Sequence, residues 1–477
     1  MASSQYMAEF EKMPPAQVRE KVDIMAQEIR NKVISAKNYI PHGERVIYLS
    51  NAGCDENDGL SVEKPIRTIE KLNSITQDGD TVLFKRGDIF RGSVKVVHEN
   101  MTFSAYGEGV KPIICGSLKN YADPDLWQPT EYENVYRLTE TLDNVGLIIF
   151  NPGYTYGSTD EIYADRAMRG KNGFMELCDL RDDLVFYNDY ETGELYLCSH
   201  GGNPAERFYD IEIGAKGCVS AVFDGGAPGA TFDNLWVLFA GCHGISSGTA
   251  INRTVKNCIF GWIGGAAFGG EKRGDGSWNT TRYGNAVQIY GGCIGFHVEN
   301  NWMYQIFDTA ITHQYGGYSE GDCIQEDVIY RGNLTEGCFW HIEFYNGGRE
   351  GTKRYVKDVY MTGNICRYGG WGCTGRCGGA PMFCGAGMCE DVENFVAERN
   401  IFCHSPGVLV QFIDEGNRKI VMRNNVYIDP MGARLGRMYG NIYPFDDTAK
   451  DTLKNLVHEQ EPTVVFMQKP NMNYLKY

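Results

Sequence analysis

"FHVENNWMY", residues 296–304, decides the fold. Four residues alternate apolar and polar, two asparagines follow, and apolar residues resume at once. The same texture recurs in "ATFDNLWVL" (230–238), "RTVKNCIF" (253–260), "VIYRGNLTE" (328–336), "VYMTGNICR" (359–367), "NFVAERNIF" (394–402) and "KIVMRNNVY" (419–427). The marker residues are Asn234, Asn257, Asn301, Asn333, Asn364, Asn400 and Asn425, at intervals of 23, 44, 32, 31, 36 and 25 residues. Periods of this length in β-rich sequence mean stacked coils. Asparagine tolerates the left-handed backbone of a sharp bend. Stacked amides can also bond one another along a coil axis.

A second strand follows many of these asparagines: "HGISSG" (243–248), "TAITHQ" (309–314), "WHIEFY" (340–345) and "GVLVQF" (407–412). The pattern predicts an all-β chain, a right-handed parallel β-helix with rungs about 4.8 Å apart. Outside the coil, Val18, Val22, Met25, Ile29 and Val33 form one apolar stripe. They predict a helix over 16–34, covering an open end of the coil or docking on it. Segment 1–43 is thus a helical cap and 44–115 the start of the β-helix. Segment 116–215 contains the hairpin signal "LVFYNDYETGELYLCS" (184–199) and is an inserted β-rich subdomain. The main coil takes 216–430, and 431–477 is a C-terminal tail or cap.

The opening "DGLSVEKPIRTIEKL" (58–72), "GDTVLFKRGD" (79–88) and the Asn-marked coils resemble the pectate-lyase-like right-handed β-helix proteins of bacteria, over most of 44–430. The resemblance implies this fold and a carbohydrate-active protein. It does not select among lyases, polygalacturonase-like hydrolases, lacto-N-biosidase-type and other glycosidases, epimerases and carbohydrate-binding tail proteins. The polygalacturonase pair Asp-Asp with Gly-His-Gly is absent, and only "GDCIQ" around Asp322 is faintly similar. No catalytic residue is carried over.

The 477 residues are 43% hydrophobic and 22% charged, with 58 glycines for tight turns. A net charge of -16 argues against nucleic acid and anionic membranes, and more weakly against a strongly polyanionic substrate. No run of 18 apolar residues exists to span a bilayer. "MASSQYMAEFEKM" lacks the basic and apolar regions of a secretory signal, and the 16 cysteines are scattered. The expectation is a cytoplasmic protein with reduced thiols. Its oligomeric state is open, a homo-oligomer included.

The resemblance implies that sugars bind along the outer face of one sheet, where outward side chains of successive rungs form columns. Aligning Ile245, Ile311, Ile342 and Val408 as core anchors turns Ala310, Thr312 and Gln314 outward. On later rungs His341, Glu343 and Tyr345 face out, then Leu409 and Gln411. Glu343, between Trp340, Phe344 and Tyr345, is the first catalytic candidate, because apolar surroundings raise a carboxyl toward general-acid duty. Asp308 is the second carboxyl. On straight strands it would lie four positions from Glu343, up to about 13 Å away, so the pair needs a bend at Asp308. Asp322 is held in reserve, and Asp414 with Glu415 reads as a turn.

Candidate substrate-binding residues are His313, Gln314, His341, Tyr345, Trp340, Trp302, Tyr315, Trp371 and Gln411. Of these, His313 is read as inward beside Ile311. Rings suit the C–H faces of sugars, and amides suit hydroxyls. Cys373, Cys377, Cys384 and Cys389 are spaced too irregularly for zinc, so no metal or cofactor is expected. The expected activity is a glycoside hydrolase on a neutral or amino-sugar oligosaccharide. The alternatives are a lyase or uronate epimerase, using an arginine among Arg331, Arg349, Arg354, Arg367 and Arg376 and often Ca²⁺, and a non-catalytic sugar-binding coil.

Overall fold

The structure is a computed structural model that describes residues 9–156, 162–166, 177–216, 220–267, 281–315, 322–347, 351–370 and 378–468. Three ten-stranded sheets wrap one core, and each turn of chain gives one strand to each sheet. One turn shows the plan: Cys293–Glu299 lies in sheet A, Trp302–Phe307 in sheet B and Thr309–Tyr315 in sheet C. Cys323–Arg331 then returns to sheet A in parallel register with the first strand. The fold is a right-handed parallel β-helix. Inward side chains stack in columns, such as Val222, Ile245, Val287, Ile311, Ile342, Met382 and Val410 in sheet C.

The marker asparagines divide into two roles. Asn234, Asn257, Asn300 and Asn424 take positive φ at the bend from sheet A to sheet B, a place Gly332, Gly363 and Arg399 fill on other turns. The next residue on each turn builds the ladder. Asn301, Asn333, Asn364 and Asn400 each donate a backbone and a side-chain N–H to the amide oxygen of the following asparagine, at 2.9–3.0 Å. Asn425 closes the series on the buried carboxyl of Glu459 at 3.1 Å. On the earlier turns the ladder position is Leu235 and Cys258, so Asn234 and Asn257 stand at the bend outside the ladder, where the Asn234 amide donates to the Ala36 and Lys37 carbonyls and the Asn257 amide to Asp233.

Helix α1, Pro15–Ile34, starts at a proline and buries Val18, Val22, Ala26 and Val33. It does not cover an end of the coil. It lies along the outside of sheet B, against apolar side chains such as Trp302, Leu334 and Ile365. Arg30 fastens it to Glu336 at 2.6 Å. The ends are closed by helix α2, Ile69–Ile75, through Ile69 and Leu72, and by helix α3, Ala449–Leu456, through Ala449 and Leu453. The coil also continues past 430, since Ala433–Met438 extends sheet C and Thr463–Phe466 extends sheet B. Residues between Trp127 and Ala215 form a separate seven-stranded, largely antiparallel sheet with its own core. Among the described residues no helix is long and apolar enough to cross a membrane.

Candidate active site on sheet C

Six neighbouring strands of sheet C carry the site: β1 (His243–Ser247), β2 (Val287–Tyr290), β3 (Thr309–Tyr315), β4 (Trp340–Asn346), β5 (Ala380–Cys384) and β6 (Val410–Phe412). Their register places Ser246, Gln288, Thr312, Glu343, Phe383 and Gln411 in one outward column. Tyr290, Gln314 and Tyr345 form a second column beside it. The rung of β5 lies inside the Gly- and Cys-rich stretch from Cys373 to Cys389. The anchor after Ile342 is therefore Met382, with Val410 next, and not Val408.

Glu343 stands in the middle of the column and is buried. One of its oxygens, Oε2, accepts from Thr309 Oγ1 at 3.1 Å, Gln314 Nε2 at 3.0 Å and Thr312 Oγ1 at 3.4 Å. Tyr345 donates to Gln314 Oε1 at 2.7 Å and so fixes that amide. The other oxygen, Oε1, needs a glycine opposite, because a Cβ on Gly385 would come within 2.5 Å of it. Burial pushes the Glu343 carboxyl up to about 7, against the pull of the two threonine hydroxyls.

Asp308 sits at the corner between Trp302–Phe307 and β3, after a cis Phe307–Asp308 peptide. The chain passes there from sheet B into sheet C. Its backbone is held on both sides, by Gly284 below and by Trp340 N–H above at 2.9 Å. Thr309, the next residue, is one of the three donors to Glu343. Burial and then the charge of Glu343 push the Asp308 carboxyl well above its usual range, while the Trp340 indole opposes this as a donor. Trp340 stacks flat on Phe383, with ring centres 3.9 Å apart and an interplanar angle of 5°. Both rings are half-buried beside the two acids.

Below the pair a polar chain runs back to β1. Thr309 N–H donates to Asn285 Oδ1 at 2.9 Å, and Asn285 N–H donates to His243 Nδ1 at 2.9 Å. The Asn285 amide also donates to Gln288, which donates to Ser246 Oγ at 3.2 Å. Burial holds His243 down to about 4, so it stays neutral.

Of the residues expected from sequence, Glu343, Asp308, Gln314, Tyr345 and Trp340 come together, and Gln411 lies two rungs along. Others do not join them. His313 points into the core, bonded to Tyr330 OH at 2.6 Å, and cannot touch a ligand on the outer face. Tyr315, on the same side of β3, is buried as well. His341, expected outward, is fully buried at the corner, where alternation fails, and pairs with Thr335 Oγ1 at 2.6 Å. Burial pushes both histidines down to about 3. Trp302 belongs to sheet B beneath α1, and its indole donates to Glu336 at 2.9 Å. Asp322 is exposed at the entrance to a sheet A strand and accepts from Lys353 N–H at 2.9 Å, a link between turns. Asp414 caps the turn of helix at Glu415–Lys419. Trp371, Cys373 and Cys377 lie outside the described residues, and Cys384 and Cys389 are buried in the core.

Sequence reasoning missed Phe383, Asn285, Gln288 and Thr309. The short apolar runs in "NAVQIY" (285–290) and "APMFC" (380–384), which include Val287, Ile289, Tyr290 and Phe383, carry a strand signal for the first three. Thr309 opens the strand "TAITHQ" (309–314), but alternation there puts it on the inward side with Ile311 and gives no sign of its contact with Glu343. Among the described residues no three His, Cys, Asp or Glu side chains gather closely enough to hold a metal ion.

No family model and no curated protein matches the chain. Among solved structures it is similar to XylC in complex with xylose, at 14% identity and TM-score 0.47, over 90% of this chain and 76% of that one. It is similar to the GH136 lacto-N-biosidase of Eubacterium ramulus, at 12% identity and TM-score 0.40, over 95% and 71%. A protein described as a glycoside hydrolase gives 9% identity and TM-score 0.44, over 90% and 98%. Likeness of this degree carries no correspondence between site residues.

Proposed function

We propose that the protein is a glycoside hydrolase that cleaves an oligosaccharide at a neutral or amino-sugar ring seated between Asp308, Glu343 and the Trp340–Phe383 platform. The observation that carries this reading is the pair itself: a buried carboxyl and a half-buried one from consecutive turns, one raising the other, beside flat aromatic faces. Two carboxyl groups flanking one sugar are what acid–base cleavage of a glycosidic bond requires.

The surroundings divide the roles. Three donors on one oxygen of Glu343 favour its ionised form. Asp308, held up by burial and by that neighbouring charge, keeps its proton. Asp308 is then the acid that protonates the leaving oxygen. Glu343 is the nucleophile, or the base that activates water.

A hydrolase is favoured over a uronate lyase by what touches Glu343: hydroxyls, an amide and rings. A lyase needs a cation against the carboxylate of its substrate. Arg331 and Arg354 lie on sheet A, and Arg367 on sheet B is bound to Glu336 and Asp23. Arg349 and Arg376 lie outside the described residues. The cytoplasmic location expected from sequence suits oligosaccharides that have already been imported.

The test is turnover of a panel of neutral and amino-sugar oligosaccharides, read by new reducing ends and by ultraviolet absorbance. Wild type is expected to release reducing ends without the absorbance of an unsaturated product. Glu343→Gln and Asp308→Asn should each lose about 10²–10⁴-fold. Full activity in both variants would reject the assignment, and an absorbing product would transfer it to the lyases.

A further inference from the structure

We propose that the outward column of sheet C carries an anion-binding subsite at Arg437, so that the substrate is an oligosaccharide carrying one acidic group several rings from the bond that is cut. This rests on the hydrolase reading for the position of the cut. The outward column that holds Glu343 runs on through Phe383 and Gln411 to Arg437 in unbroken register. Three rungs separate Glu343 from Arg437, about 14 Å. The order of side chains along that path is carboxylate, aromatic ring, amide, guanidinium.

Arg437 is exposed, and among the described residues no carboxylate forms an ion pair with it. The nearby Arg418 differs, being bound to Glu415 at 2.6 Å and lying over the Tyr439 ring at 4.2 Å. A guanidinium at this place in the column suits a uronate carboxylate or a sulfate ester, both of which it can bind through two N–H donors. In a chain of net charge -16, a local cation is what admits one anionic group onto that face. The cleaved ring stays neutral and the distant ring carries the charge. Lys95 occupies the other end of the column, five rungs from Glu343, and serves as the control.

The experiment measures binding to an array of neutral, uronate-bearing and sulfated tetra- to hexasaccharides, using the Glu343→Gln background so that nothing is cut. The expected result is preference for acidic members over matched neutral ones. That preference should fall about tenfold in Arg437→Gln, persist in part in Arg437→Lys and be unchanged in Lys95→Gln, with all melting temperatures alike. The uronate and sulfate arms identify which acid is recognised. Equal binding of neutral members, no binding of any acidic member, or a preference untouched by Arg437→Gln would overturn the proposal. Failure of the hydrolase reading would appear separately, as turnover that survives Glu343→Gln while the preference for acidic members remains.

Discussion

The Glu343 carboxyl is the residue on which burial and chemistry meet. Its proton is held more tightly in the folded chain, at about 7 against an ordinary 4.5. Its contribution to stability is therefore complete below about pH 4.5 and is lost as the pH rises through about 7. Glu343→Gln does not titrate there. Its stability relative to wild type should rise across that window by roughly 1–3 kcal/mol. Denaturant unfolding at acidic, neutral and mildly alkaline pH checks this, and a difference that stays flat across the window would mean that Glu343 is solvated. The sequence named Glu343 because strand alternation is a strict period of two and its neighbours are aromatic. The same rule misplaced His341, because alternation holds only along a straight strand and His341 sits where the chain turns a corner. Asp308 shows the converse: its usefulness depends on the bend, which no periodicity encodes.

At the scale of elements, the asparagines separate two physical demands that look alike in sequence. One position needs a left-handed backbone, which asparagine and glycine both supply. The next needs an amide that accepts two N–H groups and passes two on. Asn364→Ala removes the acceptor for Asn333 and the donor to Asn400 and Tyr330 inside the coil. It should cost about 3–5 kcal/mol. Asn257→Gly, at a bend, should change stability by about 1 kcal/mol or less. Equilibrium unfolding of both variants separates the roles, and equal costs would contradict the distinction. The coil was legible because most turns contain one or both positions. The rung at Ala380–Cys384 was not, since its flanking glycines and cysteines hide a strand signal of five residues. The path of α1 was half legible: its stripe shows that it packs, but Arg30, Arg367 and Glu336, which fix it to sheet B, are far apart in sequence.

Across the whole molecule, stacking converts sequence distance into proximity. Residues 308 and 343 belong to consecutive turns, and the ladder and the end-closing helices hold those turns in register. The same stacking continues the outward column from Glu343 through Phe383 and Gln411 to Arg437. The account's central claim is that the two carboxyls act as one catalytic unit. The measurement that tests it most directly is a double-mutant cycle on turnover: wild type, Asp308→Asn, Glu343→Gln and both together, on one cleaved oligosaccharide. Members of a single catalytic unit are non-additive, so the double variant should be no slower than the worse single variant. Losses that multiply, or a single variant that keeps full turnover, would contradict it.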